Sequence, residues 1–263
     1  MLKILLARLQ QGHRTMKYPN GPLPPMPDRF RGRPVLDAAK CPDGCRACAD
    51  ACPTGAITLT DKASIDLGKC LFCTDCASAC PAHAITYSND HRLAVRHRQD
   101  MVIQQDQRAL KLATALDGKL KKLFGRSLKL RQVSAGGCNA CEADTNVLNT
   151  LAWDLSRFGI QFVASPRHAD GLLITGPVPQ NMRLALQKTY DAVPEPKIVI
   201  AVGACAISGG PYIDHEQANN GADAVVPVDL YIPGCVPHPL TILDGLLRLM
   251  GRIENDNRHN PTT

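Results

Sequence analysis

Cysteine is the residue type with the clearest chemistry in this sequence. The chain has 12 cysteines among 263 residues, and they fall into three sets of four. The sets are Cys41, Cys45, Cys48 and Cys52; Cys70, Cys73, Cys76 and Cys80; and the dispersed Cys138, Cys141, Cys205 and Cys235. The opening "MLKILLARLQQGHRT" lacks the long apolar core and cleavage site of a secretory signal, so we expect a cytoplasmic protein. Thiols in a reducing compartment predict metal binding or redox chemistry rather than disulfides.

The second set has the spacing C-x2-C-x2-C-x3-C-P, which resembles that of bacterial two-cluster ferredoxins. In those proteins three thiolates hold one 4Fe-4S cluster and the fourth crosses to the other. The resemblance implies two ligand sets: Cys41, Cys45, Cys48 and Cys80 for cluster 1, and Cys52, Cys70, Cys73 and Cys76 for cluster 2.

An internal repeat supports this interpretation. The segments "CRACADACPTGAITL" and "CTDCASACPAHAITY" align residue for residue from Cys45 and Cys73, and their Ala-Ile pairs would shield the clusters from water. Zinc is the alternative metal, but it requires neither the duplication nor the x3-C-P ending. The first set departs from the pattern because three residues separate Cys41 from Cys45. These residues, Pro-Asp-Gly, predict a turn that leaves both sulfurs within reach.

The segment between residues 88 and 132 is polar and basic. Its leucines recur at roughly helical intervals in "QQDQRALKLATALDGKLKKLFGRS", which predicts a connecting helix across a domain boundary. The net charge is only +6 and no nucleic-acid-binding motif accompanies it, so we expect a solvated or subunit-facing surface and no nucleic-acid partner.

The remainder of the chain has an α/β pattern. The apolar runs "LKLRQV", "IQFVA", "GLLIT" and "KIVIAV", with a fifth near "YIPGC", alternate with helical stretches that begin near Glu142, Gln180 and Pro239. This alternation predicts a parallel sheet covered by helices.

The four dispersed cysteines lie after these strands or in glycine-rich turns. Because sites gather at the carboxyl ends of parallel strands, Cys138, Cys141, Cys205 and Cys235 are predicted to form a third cluster site, cluster 3. Four glycines would let the backbone approach it: Gly136, Gly137, Gly203 and Gly234. The alternative is a C-x-x-C redox pair with two structural cysteines.

The motifs "GGCNACE", "RFGIQFVASPRHADGLLITGPV", "GACAISGG" and "VPVDLYIPGCVPHP" resemble the small subunit of group 4 energy-converting NiFe hydrogenases and the related cluster-bearing subunit of respiratory NADH:quinone oxidoreductase. The latter has adjacent cysteines where this chain has Cys138-x-x-Cys141, which favours the hydrogenase branch, particularly the formate hydrogenlyase type. The amino-terminal half, including "KYPNGPLPPMPDRFRGRP", resembles the ferredoxin subunit of the same complexes. The chain thus looks like a fusion of two subunits.

The resemblance implies an α+β two-cluster ferredoxin domain followed by a flavodoxin-like α/β domain of the hydrogenase small-subunit type. The expected segments are an amphipathic helix and docking segment (1–30), the ferredoxin domain (31–90), a helical linker (91–127), the 4Fe-4S α/β domain (128–252) and a polar tail (253–263). In a fusion, a tether would raise the effective concentration of one half near the other.

The implied function is an electron relay through three 4Fe-4S clusters to a large catalytic subunit that reduces protons at a NiFe centre. The chain lacks the paired-cysteine motifs of that subunit, so it is expected not to be catalytic alone. Expected partners are the large subunit, membrane-arm subunits and an electron donor such as a formate dehydrogenase, on the cytoplasmic side of the membrane. One alternative is the same relay in a nickel-free respiratory complex that reduces quinone or pumps ions; another is a free ferredoxin-like carrier.

A few other residues have two possible roles. Glu142 and Asp144 could couple proton uptake to reduction of cluster 3, or they could simply favour the positive end of a helix. Arg167 and His168 could lie near the cluster or be ordinary loop residues. Ala204 occupies the position before Cys205 where some relatives have an acid. The leucine-rich opening helix could contact a membrane or partner subunit, or pack into the core.

Overall fold

The cysteine-rich half of the chain is built from short antiparallel strands. The computed structural model describes residues 2–12, 14–60, 63–104 and 110–253. Up to residue 104 the strands are β1 (Pro34–Leu36), β2 (Ile57–Leu59), β3 (Ala63–Asp66), β4 (Ile85–Tyr87) and β5 (Val102–Gln104). Strands β1 and β4 form one antiparallel pair, and β2, β3 and β5 form a second antiparallel sheet in that order.

The internal repeat of the sequence is also a structural repeat. The helices of this half are α1 (Leu2–Gln11), α2 (Ala47–Asp50) and α3 (Asp75–Ala79). Helix α2 precedes β2 as α3 precedes β4, and both strands bury their first residue and leave the third partly exposed. Each repeat therefore presents a helix and a strand in the same order to its cysteines.

A parallel sheet forms the centre of the second half. Its strands are β6 (Leu128–Ser134), β7 (Ile160–Phe162), β8 (Gly171–Thr175), β9 (Ile198–Val202) and β10 (Leu230–Ile232), in the order β10-β9-β8-β6-β7. Every neighbouring pair is parallel. The helices are α4 (Gly118–Phe124), α5 (Ala140–Val147), α6 (Gln180–Ala192), α7 (Ala204–Ser208) and α8 (Pro239–Leu249).

Burial explains why this half follows the predicted pattern. Strands β8 and β9 are buried along their whole length, as expected for a parallel sheet that is covered on both faces. Helix α8 is also buried throughout. The predicted fold class, a ferredoxin-like domain followed by an α/β domain with a five-stranded parallel sheet, is confirmed.

The predicted connecting helix differs from the structure. Only Gly118–Phe124 is helical between residues 110 and 127, and residues 105–109 lie outside the described part. The backbone of the preceding segment bonds to distant parts of the chain, with Ala113 N–H donating to Ala94 O at 2.7 Å and Leu116 N–H to Leu249 O at 2.9 Å. Both side chains are buried in the α/β core, so tertiary contacts override the helical spacing of the leucines.

The two halves share a hydrophobic core. A single buried cluster contains Ile65 and Phe72 from the first half together with Ile207 and Tyr231 from the second. Polar bonds reinforce this contact: Ser208 Oγ donates to Gly68 O at 2.8 Å, and Val95 forms a bridge with Tyr231. The halves are therefore packed against each other and not merely joined by a linker.

Buried polar groups fix the amino-terminal segment to α8. The Tyr18 hydroxyl donates to Asp244 at 2.7 Å, and Arg248 pairs with the same carboxylate at 2.7 Å. All three side chains are buried, so each polar group is satisfied within the network.

Helix α1 makes no buried contact with the rest of the described chain. None of its residues is buried, and its exposed apolar side chains are Leu2, Ile4, Leu5, Leu6 and Leu9. The structure therefore contradicts the core-helix alternative for this segment. Among the described residues, no helix combines the length and hydrophobicity needed to cross a membrane.

Candidate iron-sulfur sites

The first ligand set predicted from the sequence surrounds one cavity. Cys41, Cys45, Cys48 and Cys80 all line it, together with apolar side chains of Leu36, Ile57, Leu59 and Ile85. The extra residue between Cys41 and Cys45 is absorbed by a turn in which Cys45 N–H donates to Pro42 O at 3.2 Å. The turn therefore keeps Cys41 beside the other three cysteines.

The second predicted set surrounds a separate cavity. Cys52, Cys70, Cys73 and Cys76 line it, with Ala56, Ile57, Ile65 and Tyr87 completing the wall. Each cavity thus takes three cysteines from one repeat and one from the other, as the crossing pattern requires. Ile57 lies between the two cavities and lines both.

The dispersed cysteines converge at the carboxyl edge of the parallel sheet. Cys138 precedes α5 and Cys141 lies in it; Cys205 lies in α7, after β9; and Cys235 follows β10. Burial is the largest cause of the raised pKa of Cys141, and Cys205, Cys235 and Cys138 add to it, as thiols within electrostatic reach do. The fold therefore brings together residues that are almost 100 positions apart in the chain.

Each of the three groups contains at least one cysteine thiol, such as Cys48, whose burial raises its pKa and so disfavours negative charge. Burial, with a smaller contribution from nearby thiols, raises the pKa of Cys141, that of Cys205 to about 11 and that of Cys70 to about 12. Thiolates gathered in this way need a positively charged centre to offset their repulsion and their loss of hydration. A metal-sulfide cluster fits that requirement at each site.

The spacing of the cysteines bears on the zinc alternative. Within the part of the chain that the structure describes, no three His, Cys, Asp or Glu side chains are arranged closely enough to hold a single metal ion. Zinc requires four ligand atoms at about 2.0–2.3 Å. Four cysteines line each ferredoxin cavity, a number that suits zinc as well, so the crossing of one cysteine between the repeats is the feature that favours a cluster.

Two glycines create room for the thiols of the third set. A Cβ added at Gly203, where φ is +91°, would lie 2.6 Å from Cys141 Sγ, and one at Gly210 would lie 2.7 Å from Cys205 Sγ. Of the four glycines proposed from sequence, Gly203 makes this close approach. An added Cβ at the other three would first meet other protein atoms, those of Pro179 at Gly136, Glu142 at Gly137 and Pro237 at Gly234.

The second and third cysteine groups lie close to each other. The thiolate of Cys73 is near enough to Cys235 to raise its pKa, after the larger effects of burial and Cys138. Phe72, which precedes Cys73, lines an open groove together with Cys235. Phe30 and His238 line the same groove and pack edge to face with ring centroids 5.4 Å apart.

The acids Glu142 and Asp144 have different surroundings. Glu142 is buried and accepts hydrogen bonds from Ser134 and Thr175, both at 2.6 Å. Burial raises the pKa of Glu142, but these hydroxyls outweigh it and hold the pKa below its usual value. Asp144 lines the open groove, and partial burial raises its pKa.

Arg167 and His168 lie in a short turn after β7 and are exposed. They line neither of the two cavities nor the groove. Ala204 is buried as the first residue of α7.

Sequence reasoning missed the side chains that complete these sites. Tyr87 lines the second cavity, with its hydroxyl 3.5 Å from Cys76 Sγ. Its equivalent in the repeat is Leu59, so aligning the two repeats reveals that a phenol stands at one site and an aliphatic side chain at the other. The amino-terminal segment also reaches the groove beside Cys235 through Arg29, Phe30 and Arg31, a placement that only the fold reveals.

Comparison with known protein families gives matches in two separate parts of the chain. Residues 40–84 match the family described as 4Fe-4S dicluster domain. Residues 138–249 match the family described as NADH ubiquinone oxidoreductase, 20 Kd subunit. The first match includes the eight cysteines of the two cavities and the second includes the four dispersed ones.

Three curated proteins are similar to this chain. The probable membrane-bound hydrogenase subunit mbhJ of Pyrococcus furiosus is 39% identical over 135 residues, 51% of this chain and 81% of that protein. Formate hydrogenlyase subunit 7 of Escherichia coli is 42% identical, over 53% of this chain and 55% of its own length. An NADH-quinone oxidoreductase subunit of Clostridium beijerinckii is 38% identical over 61% of this chain and 94% of its own length.

These matches cover most of two relatives at more than 30% identity, and the dicluster match includes the eight cysteines between residues 40 and 84. The chain is therefore a 4Fe-4S iron-sulfur protein that belongs to the family of the 20 kDa subunit of NADH ubiquinone oxidoreductase and carries a 4Fe-4S dicluster domain in the same polypeptide.

Proposed function

We propose that this chain is the electron-transfer subunit of a membrane-bound group 4 hydrogenase, of the formate hydrogenlyase type, and that it holds three 4Fe-4S clusters. Cluster 1 is assigned to Cys41, Cys45, Cys48 and Cys80; cluster 2 to Cys52, Cys70, Cys73 and Cys76; and cluster 3 to Cys138, Cys141, Cys205 and Cys235. Clusters of this type act as one-electron carriers when bound.

The observation that carries the proposal is the arrangement of the three cysteine groups. The two cavities share Ile57 in their walls, and Cys73 of the second set is an electrostatic neighbour of Cys235 of the third. These contacts support the proposal that the three groups form a continuous series. The series begins in the ferredoxin domain and reaches the groove lined by Phe30, Phe72 and Cys235.

The hydrogenase assignment rests on the spacing of Cys138 and Cys141 and on the names of two relatives, mbhJ and formate hydrogenlyase subunit 7. By this proposal, the groove faces a large subunit that carries the NiFe centre. The donor is a formate dehydrogenase or another electron-carrying protein, and membrane-arm subunits hold the chain at the cytoplasmic face of the membrane. The exposed apolar side chains of α1 support such a contact.

The second candidate is the same relay in a nickel-free respiratory complex that reduces quinone or pumps ions. The observation in its favour is the match over 94% of the NADH-quinone oxidoreductase subunit of Clostridium beijerinckii. A free ferredoxin-like carrier is less well supported, because cluster 3 would then have no acceptor.

The test is metal analysis of the complex captured anaerobically from its own host through a tag on this chain. The proposal expects about twelve iron and twelve sulfide per chain from these clusters, with nickel and a copurifying large subunit. The same iron without nickel would favour the respiratory complex. About eight iron would contradict the assignment of the third site.

A further inference from the structure

The two ferredoxin cavities are related by the internal repeat, so their walls can be compared position by position. Cys48 corresponds to Cys76, and the last residue of β2, Leu59, corresponds to the last residue of β4, Tyr87. Leu59 lines the first cavity and Tyr87 the second. The repeat therefore places an apolar side chain at one site and a phenol at the other.

The phenol makes a specific contact. Tyr87 Oη lies 3.5 Å from Cys76 Sγ, within hydrogen-bonding distance for sulfur. The ring packs beside Phe72 at a tilted angle, with the ring centroids 6.4 Å apart. Among the described residues that line the first cavity, none carries a hydroxyl group. In the part of the chain that the structure describes, Cys48 therefore has no side-chain donor equivalent to Tyr87.

The other hydrogen-bond donors near the cysteine sulfurs are better matched between the two ferredoxin cavities. Ala56 N–H donates to Cys52 Sγ at 3.2 Å, and its repeat equivalent Ala84 N–H donates to Cys80 Sγ at 3.3 Å. Thr54 also approaches Cys52, at 3.9 Å, but its hydroxyl donates to Lys69 O at 2.8 Å and its single proton is thereby used. The second cavity has a further backbone bond, from Phe72 N–H to Cys70 Sγ, which a change at Tyr87 would not remove.

The direction of the Tyr87 contact follows from ligation. A metal-bound cysteine is a thiolate and can only accept, so the phenol must donate. A hydrogen bond strengthens as negative charge grows on its acceptor, and reduction adds that charge. Bonds to cluster sulfurs are among the factors that determine the reduction potential.

We propose that the Tyr87 hydroxyl, by donating to the Cys76 thiolate, raises the reduction potential of cluster 2 above that of cluster 1. This inference rests on the proposed function only in assuming that Cys48 and Cys76 bind separate clusters. The consequence is a favoured direction of electron transfer between the two clusters. One electron that leaves cluster 1 and reduces cluster 2 moves toward the more positive potential, with no proton transferred.

The test uses anaerobically reconstituted full-length chain, titrated potentiometrically and followed by electron paramagnetic resonance. Tyr87→Phe keeps the ring and removes the donor. We expect it to lower the equilibrium constant for reduction of cluster 2 about tenfold, which is 59 mV for one electron. The potential of cluster 1 should stay unchanged. The reciprocal variant, Leu59→Tyr, should raise the potential of cluster 1, because the repeat aims its hydroxyl at Cys48.

The proposal would be overturned if the Tyr87→Phe variant changed the equilibrium constant for reduction of cluster 2 by less than threefold. If that variant fails to assemble cluster 2, the Leu59→Tyr variant decides: a raised potential at cluster 1 supports the proposal, and an unchanged one overturns it. Iron analysis of the unsubstituted chain is a separate control. Loss of the proposed function would appear there as missing clusters, whereas failure of this inference leaves iron intact and the potentials unmoved.

Discussion

At Gly203 the third site depends on the absence of a single methyl group. Alanine there would bring Cβ within 2.6 Å of Cys141 Sγ, at a backbone φ of +91° that side chains rarely adopt. We expect Gly203→Ala to prevent assembly of the third cluster, lowering iron by about four per chain and leaving the ferredoxin clusters in place. Iron and acid-labile sulfide analysis of the purified chain measures this.

Gly118→Ala is the matched control, because an added Cβ at Gly118 meets nothing within 4 Å. Gly118 opens helix α4, where alanine is the better helix former, so this variant should keep its full iron content. If the Gly203→Ala variant also keeps its full iron content, the third cluster does not use Cys141 as assigned.

The spacing of the cysteines and its resemblance to two-cluster ferredoxins predict which cysteines share a cavity, although each set includes one cysteine from the other repeat. The contact between Tyr87 and Cys76 could not be predicted in the same way. It depends on how β4 lies across the cavity, and only the comparison with Leu59 in the repeat hinted at it. The hydroxyls of Ser134 and Thr175 that hold Glu142 come from two different strands, so no local pattern marks them.

Among the elements, helix α1 has the clearest mismatch between composition and burial. Leu2, Leu5 and Leu9 share a face by helical spacing, and all are largely exposed. We expect replacement of these three by serine to leave the thermal unfolding midpoint of the chain within about 2 °C, since no buried contact is lost. The same change should release much of the chain from membranes, as measured by its share in the membrane pellet of the host.

Leu184→Ser, on helix α6, is the control for this experiment. Its side chain is 63% exposed, similar to Leu5 at 60%, but it lies on a different surface. It should not change the pelleted fraction. Undiminished pelleting of the α1 variant would show that this helix does not hold the chain at the membrane.

Elements with strong, uninterrupted burial were predictable from sequence, and elements defined by distant partners were not. Strands β8 and β9 read as apolar runs because both of their faces are covered. Strand β5 was missed, since its three residues become a strand only by pairing with β3. The connecting helix was predicted too long for the same reason, because Ala113 and Leu116 bond to remote backbone instead of to their own turn.

At the scale of the whole molecule, the two halves behave as one body more than as tethered domains. A flexible tether would raise the local concentration of one half near the other, as we expected from the fusion. The structure adds a shared core containing Phe72 and Tyr231 and a bond from Ser208 to Gly68. Because a packed interface of this kind opposes relative motion, we expect the second and third cysteine groups to stay at a nearly constant separation.

That constant separation leads to a magnetic prediction. By the proposed assignment, clusters 2 and 3 are both paramagnetic in the fully reduced chain, and Phe72, the neighbour of Cys73, lines the same groove as Cys235. The resonance of cluster 2 should therefore relax faster, and saturate at higher microwave power, than in a Cys205→Ala variant that lacks cluster 3. The resonance of cluster 1, whose cysteines line the other cavity, should change less. Equal saturation of cluster 2 in the variant and the unsubstituted chain would mean that the two sites are not adjacent, and that electrons do not pass between the halves at this point.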